Sequence, residues 1–208
     1  MHKKLIPLAL TTLLFALSVS AEAQQPGKVF RIGFLDISTA SVSAVLVDAL
    51  RQELSKLGWV EGKNITFEYR FAEQKEERLR ELAVNLVRLK VDVLVVTGGD
   101  PAVVAKGASS TIPIVMTGAN DPVALGLVAS LARPGGNVTG LSALAFELNT
   151  KRLEVLKDAI PKLARVGFLQ SKQGGAKTRN IELKELRTAA SALKLKVGLL
   201  RLKPMPKQ

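Results

Sequence analysis

The 208-residue sequence has no cysteine, and its only histidine is His2. Disulfide bonds therefore make no contribution to its stability. Because His2 lies in a segment that we expect to be removed, the remaining chain cannot form a Ser–His or Cys–His nucleophile. It also lacks the side chains that most often bind zinc. Carboxylate, lysine, tyrosine and hydroxyl groups remain as options for an active site.

Sequence signatures of cofactor binding and catalysis are also missing. No G-x-G-x-x-G follows the first predicted strand, and there is no G-x-x-x-x-G-K-[ST] phosphate loop. The G-x-S-x-G turn of α/β hydrolases is absent as well. We therefore expect no cofactor, no metal and no catalytic residue, and we interpret the chain as a binding protein rather than an enzyme.

The N-terminus has the pattern of an export signal. Lys3 and Lys4 precede the apolar run Leu5–Ser20, which is short for a membrane span. Ala21-Glu22-Ala23 then matches an A-x-A cleavage site. A membrane anchor is the alternative. We expect residues 1–23 to be a signal peptide cleaved after Ala23, which makes the mature protein periplasmic.

Positive charge is concentrated in the last part of the chain. Residues 24–150 hold 13 Lys or Arg and 13 Asp or Glu, whereas residues 151–208 hold 15 basic and 4 acidic residues. A basic half is compatible with nucleic acid or an anionic membrane surface as a partner. These basic residues are spread over predicted helical faces without interleaved aromatic residues. We therefore interpret them as a solvated face and expect no nucleic-acid partner.

Apolar runs alternate with amphipathic segments, which predicts an α/β fold with an open parallel sheet sandwiched by helices. Most runs are continuous in Val, Ile and Leu, as in strands buried on both faces. The predicted strands are Val29–Leu35, Lys63–Phe71 (alternating, hence an edge strand), Val91–Val96, Ile112–Met116, Val138–Leu141, Val166–Gln170 and Lys196–Leu202. The predicted helices are Ala44–Leu57, Glu76–Leu89, a helix from Asn149 or Thr150 to about Ile160, and Ile181–Leu195.

Two central units share one pattern, because each apolar run continues into Thr-Gly and then Asp-Pro. We interpret Asp100 and Asp121 as helix N-caps, each followed by proline at the first helical position. Turns that follow parallel strands lie side by side at one edge of the sheet. Ligands bind at that edge, where helix N-termini favour anionic groups.

The candidate ligand-binding residues are small and polar, and they follow three predicted strands or join the two halves of the chain. They are Ser38, Thr39, Ser41, Thr97, Gly98, Gly99, Thr117, Asn120, Asp121 and Asn149. Hydroxyls and backbone N–H groups suit the carboxylate of a small zwitterion. A purely structural interpretation also stands, in which the aspartates and Asn149 only cap helices and the threonines only form turns.

Several segments resemble the ABC-transporter substrate-binding protein family, which has the type I periplasmic-binding-protein fold. They include RIGFLDIS, STIPIVM and, most distinctively, GLVASLARPGGNVTGLS. The resemblance extends from about Arg31 to Leu169. It implies two α/β lobes with a ligand cleft between them, in a protein that delivers a small solute to an ABC permease of the inner membrane. Some members are similar to binders of aromatic amino acids such as tryptophan, so the resemblance implies a ligand of that class.

The resemblance divides the chain into a signal peptide (1–23), an N-terminal α/β lobe (24–145) and a hinge crossing with a partial second lobe (146–208). In that incomplete second α/β lobe we expect Val166–Leu169 and Val197–Leu202 to pair as parallel strands with one face bare. Because family members are longer, we interpret the chain as a truncated member whose solute binding is weak or absent.

Two other functions are compatible with the residues. An enzyme without histidine or cysteine would use a carboxylate, with Asp100 or Asp121 as its base. A ligand-sensing or structural fragment would dock on a receptor instead. Both stay as alternatives to solute binding.

Export predicts a defined mature N-terminus. Cleavage after Ala23 should leave a protein that begins at Gln24, because the A-x-A motif positions the signal peptidase. N-terminal sequencing of exported material checks this. Intact Met1 on soluble cytoplasmic protein would contradict it.

Overall fold

The computed structural model describes residues 28–143, 145–170 and 175–201. The predicted signal peptide lies outside these residues. In chain order the elements are β1 (Phe30–Asp36), α1 (Ala40–Lys56), β2 (Ile65–Phe71), α2 (Glu76–Arg88), β3 (Val93–Val96), α3 (Gly99–Ala108), β4 (Ile114–Asn120), β5 (Val138–Ala143), α4 (Ala145–Ala159), β6 (Arg165–Gln170), α5 (Ala176–Ala192) and β7 (Lys196–Arg201). Within the described part of the chain, no helix combines the length and apolar character needed to cross a membrane.

Five strands form one parallel sheet in the order β2-β1-β3-β4-β5. Alternate side chains of a strand point to opposite faces, so the sheet has two apolar layers. On one face, Phe34 and Val95 pack with Val47 of α1. On the other face, Leu94 packs with Leu86 of α2. The predicted fold class is therefore confirmed, and we call this sheet with α1, α2 and α3 the first lobe.

The central position of β3 explains its sequence. This strand is hydrogen-bonded to β1 on one side and to β4 on the other. Leu94 and Val96 are 0% exposed on one face and Val95 is 7% exposed on the other, as expected of a continuous apolar run. Burying such a side chain contributes roughly 1.5–3 kcal/mol relative to leaving it in water. The alternating sequence of β2 predicts an edge strand, and β2 does lie at an edge.

Three helices begin earlier than the sequence pattern indicated. α1 begins at Ala40 because the Thr39 side chain accepts a hydrogen bond from the Val42 N–H and caps it. α4 begins at Ala145, so Asn149 lies inside this helix and does not cap it. α5 begins at Ala176, before the first apolar residues of its periodic pattern. Polar first turns carry no apolar periodicity, and the pattern therefore placed the last helix too late.

The helix after β3 corrects the first predicted N-cap. α3 begins at Gly99 with Gly98 as its N-cap, so Asp100 lies in the first turn and not at the cap. Gly98 has a φ of 86°, which glycine adopts without the steric cost that a Cβ would add. The Asp100 carboxylate is thereby left available for another partner.

No regular helix follows Asp121, which corrects the second predicted N-cap. The chain makes one turn, in which the Asp121 carboxylate accepts a hydrogen bond from the Ala124 N–H at 2.9 Å. Gly126 ends this turn with a φ of 72°. Leu125 and Leu127 are 2% and 1% exposed, so apolar residues two positions apart enter the core. That spacing does not match one face of a helix.

β6 and β7 form a separate parallel two-stranded sheet. With α4 and α5 they make up what we call the second lobe. The helices cover one face of the pair, where Leu153, Leu186 and Leu195 are buried. On the opposite face Leu169 and Leu200 are each 57% exposed. The prediction of two parallel strands with one bare face is confirmed for the described residues.

β4 and β5 approach each other closely at Gly140. The pairing register shifts between Thr117 and Ala119, and Gly140 has a φ of 132°. A Cβ at Gly140 would overlap the backbone of Met116. Glycine is therefore required both by the backbone conformation and by the lack of space.

Replacing Gly140 with alanine should lower the free energy of unfolding by about 2–4 kcal/mol, because backbone strain and overlap add together. Urea denaturation followed by circular dichroism measures the loss. Gly136→Ala is the matched control, since a Cβ there meets nothing within 4 Å, and it should change stability by less than about 0.5 kcal/mol. Equal stability of the two variants would rule out the close approach.

Candidate ligand site between the two lobes

A cleft of about 470 Å³ lies between the first and second lobes. One wall consists of the turn after β3, the start of α3 and the end of β4, and the other consists of the end of β6 with parts of α4 and α5. Open parallel sheets bind ligands at this edge, and the volume suits a small solute. The lining residues are Ile37, Thr97, Gly98, Gly99, Asp100, Pro101, Gly118 and Asn120 of the first wall, and Asn149, Arg152, Phe168, Leu169, Gln170, Gly175, Thr178, Arg179 and Glu182 of the second.

The first wall offers hydrogen-bond donors that the protein itself does not use. The hydroxyl oxygen of Thr97 is buried and has no hydrogen-bond partner among the described residues. Gly98 follows it, and no side chain caps the N-terminus of α3 there. Because buried polar groups are nearly always paired, this arrangement favours a polar group of a ligand at the first wall.

The second wall carries a network of amide and charged side chains. Asn149 Nδ2 donates to Glu182 Oε1 at 3.3 Å, and Gln170 Nε2 donates to Glu182 Oε2 at 3.1 Å. Arg152 Nη1 donates to Asn149 Oδ1 at 3.0 Å. Phe168 adds an aromatic ring to the lining. This wall therefore combines both signs of charge with an apolar surface.

Five of the ten candidate residues predicted from the sequence lie along the cleft. Those on it are Thr97, Gly98, Gly99, Asn120 and Asn149. The lining does not include the other five candidates, which are Ser38, Thr39, Ser41, Thr117 and Asp121. No contact with a ligand tests either group, so their roles in binding stay predictions.

The serines and threonine after β1 have structural partners. The buried Asp36 carboxylate accepts hydrogen bonds from the Ser38 N–H at 2.8 Å and from the Ser43 hydroxyl at 2.6 Å. Thr39 caps α1 and lies 3.0 Å from the Ser41 hydroxyl. These contacts secure the start of α1 beneath the sheet edge.

Thr117 and Asp121 are also engaged within the protein. The Thr117 hydroxyl donates to the Val96 carbonyl at 3.4 Å, which ties β4 to the end of β3. The Asp121 carboxylate holds the turn described above through the Ala124 N–H. Neither of these two side chains lines the cleft.

Sequence reasoning missed most of the second wall. The additional polar lining residues are Arg152, Gln170, Thr178, Arg179 and Glu182. One signal was available, because Gln170 ends a predicted strand and the candidate residues of the first wall also lie at strand ends. Glu182 and Arg179 lie on a helix, where nothing in the local pattern distinguishes them from other charged residues.

Asp100 joins the two lobes across the cleft. Its carboxylate accepts a hydrogen bond from the Thr178 hydroxyl in the first turn of α5. It also lies against Gly175, the N-cap of α5, where a Cβ would overlap it. A carboxylate at a helix N-terminus is stabilised by the free N–H groups and by the helix dipole. Asp100 therefore acts as an acceptor for α5, a helix of the other lobe.

Two further contacts reinforce this junction. Lys177 Nζ donates to the Leu125 carbonyl at 3.0 Å. Arg179 Nη2 forms an ion pair with Glu76 Oε1 at 3.1 Å. The first turn of α5 thus touches α2, α3 and the turn after β4, and these contacts determine how far the walls of the cleft stand apart.

A parallel α/β lobe whose strand ends face a second lobe across a cleft defines the type I periplasmic-binding-protein class. Residues 37–204 match the model of the family described as "ABC transporter substrate binding protein". The chain belongs to this family. Its members bind small molecules, work with ABC transporters and are generally not enzymes. They are usually periplasmic or extracellular.

Three proteins illustrate the similarity. The tyrosine-binding protein of Clostridioides difficile (strain R20291) is 35% identical over 117 residues, which are 56% of this chain and 33% of that protein. A conserved domain protein from Vibrio cholerae has a solved structure with 28% identity and a TM-score of 0.71, covering 84% of this chain and 58% of that chain. The structure of an ABC domain with L-Trp from Streptococcus pneumonia shares the fold at 21% identity and a TM-score of 0.66, covering 83% and 57%. The chain therefore spans well under two thirds of these relatives.

Removing either partner of the Asp100–Thr178 hydrogen bond should let the lobes move apart. We expect Asp100→Ala and Thr178→Val each to lengthen and broaden the distances between spin labels on cysteines introduced at Glu81 and Lys184. The absence of other cysteines confines the labels to those positions. Double electron–electron resonance measures the distances, and Asp48→Asn on the exposed side of α1 is the control.

The double variant should resemble Asp100→Ala, because that change already removes the hydrogen bond that Thr178→Val removes. Unchanged distances in both single variants would show that Asp100 does not hold the lobes together.

Proposed function

We propose that the protein is the solute-binding component of an ABC importer, that it works in the periplasm, and that it binds a small solute, an aromatic amino acid, between its lobes. It hands this solute to a permease in the inner membrane without changing it chemically. The observation that carries the proposal is the cleft, with the unpaired Thr97 hydroxyl on one wall and a polar network on the other. Residues 24–145 and 146–208 supply the two walls.

The proposed contacts follow from the chemistry of the lining. Thr97, Gly98 and Gly99 present a hydroxyl and helix N–H groups, which suit the carboxylate of an amino acid. Asn120 adds an amide that can donate or accept, whereas the amide of Asn149 is engaged with Glu182 and Arg152. The ring of Phe168 suits an aromatic side chain. An aromatic amino acid uses all of these features at once.

The similar proteins support the same ligand class. One is named a tyrosine-binding protein, and one solved structure contains L-Trp. Both names describe those proteins, and for this chain the ligand belongs to the proposal. Weaker binding than that of a longer relative stays a prediction.

The carboxylates of Asp100 and Asp121 both have partners within the protein. No observation therefore favours the alternative in which one of them acts as a catalytic base.

Calorimetry with L-tyrosine and L-tryptophan tests the proposal. Thr97→Val removes the unpaired hydroxyl at nearly constant volume, and it should weaken binding by about 1–3 kcal/mol if the ligand's acceptor is left unpaired. Thr139→Val, at an exposed position of β5, is the matched control. Failure of the unaltered protein to bind either amino acid would contradict the proposed ligand class.

A further inference from the structure

Glu182 occupies a distinctive position on the second wall of the cleft. Each of its carboxylate oxygens accepts one amide hydrogen bond, from Asn149 at 3.3 Å and from Gln170 at 3.1 Å. The two amides come from α4 and β6, whereas Glu182 belongs to α5. All three elements of the second wall thus converge on one carboxylate.

The network orients this carboxylate without neutralising it. Asn149 receives a hydrogen bond from Arg152 at 3.0 Å through its oxygen, so its nitrogen is directed towards Glu182. Among the described residues, Glu182 takes part in no ion pair, although the surrounding half of the chain is rich in lysine and arginine. A carboxylate has about four acceptor sites, and the two amides use only two of them.

The opposite wall has the complementary chemistry. Within the part of the chain that the structure describes, the buried Thr97 hydroxyl has no partner, and it lies next to the N-terminus of α3 at Gly98, which no side chain caps. A solute that lies between the walls meets donors on one side and an unneutralised carboxylate on the other. This arrangement fits a zwitterion whose carboxylate faces α3 and whose ammonium group faces α5.

We infer that Glu182 binds the ammonium group of the solute, and that Asn149 and Gln170 are positioning residues that hold its carboxylate in place. The inference rests on the proposed function, because it assigns one end of the amino acid to one side chain. Asn149 has both ends of its amide engaged and acts through Glu182.

A pair of ligands that differ only in the ammonium group isolates this interaction. L-Tyrosine and 3-(4-hydroxyphenyl)propanoate share the ring and the carboxylate, and the second compound lacks the amine. The unaltered protein should bind L-tyrosine about 10- to 100-fold more tightly, as expected of a charge-assisted hydrogen bond. Calorimetry on the full chain gives the ratio of the two dissociation constants.

Glu182→Gln should reduce this ratio at least about tenfold, as a charge-assisted hydrogen bond is lost, while affinity for the propanoate stays unchanged. Glu185→Gln, on the exposed side of α5, is the matched control and should keep the full ratio. Gln170→Met should lower the ratio partly, since it frees the carboxylate without touching the ligand. Circular dichroism confirms that each variant is folded, and Glu182→Asp, which keeps the charge, should retain part of the preference.

The outcomes separate the inference from the proposed function. Binding of L-tyrosine with the same ratio in the protein and in Glu182→Gln overturns the role of Glu182 and leaves the amino-acid proposal intact. Equal affinity of the unaltered protein for both compounds also overturns it. Failure to bind L-tyrosine, L-tryptophan and the propanoate overturns the proposed function and the inference together.

Discussion

The carboxylate of Asp100 sits where two lobes meet, and the cleft owes its shape to that contact. Among the described residues, no side chain of the second lobe caps α5, and the Thr178 hydroxyl in its first turn donates to Asp100 of the other lobe. In the described chain, only the crossing after β5 connects the lobes covalently. The position of α5 therefore depends on non-covalent contacts at its first turn. Because the same helix carries Glu182, the junction that closes the cleft also positions the chemistry of its second wall.

Much of the first lobe was predictable because its strands are short, continuous and apolar. Burial on both faces permits no alternation, and Val93–Val96 shows this directly. The predictions that Asp100 and Asp121 are helix N-caps were wrong for a physical reason. Asp100 and Asp121 have the residue types of N-caps, but flexible glycines at 98 and 126 determine where the backbone turns. The sequence indicates which residue types suit a turn, whereas the backbone conformation determines which of these residues forms the turn.

The first wall of the cleft could be predicted from the sequence more readily than the second wall. The first wall consists of consecutive residues after strands, so a local pattern predicts it. The second wall consists of contacts between distant residues: Asn149 is 33 positions from Glu182, and Gln170 is 12 positions away. Only the packing of α4, β6 and α5 brings these side chains together. The candidate serines after β1 show the reverse, because the Ser38 N–H donates to the buried Asp36 and the Ser41 hydroxyl lies against Thr39, away from the cleft.

The bare face of the β6–β7 pair has a thermodynamic consequence. A parallel pair with one face in water has little apolar burial to offset the entropy of ordering its chain. The second lobe is then the part of the described chain with the smallest reserve of stability. A solute held by Glu182 would stabilise this lobe in proportion to the logarithm of its concentration. Part of its binding free energy would be spent on ordering the lobe, which lowers the observed affinity. Under the proposed function, solute recognition and the folding of one lobe would be a single coupled equilibrium.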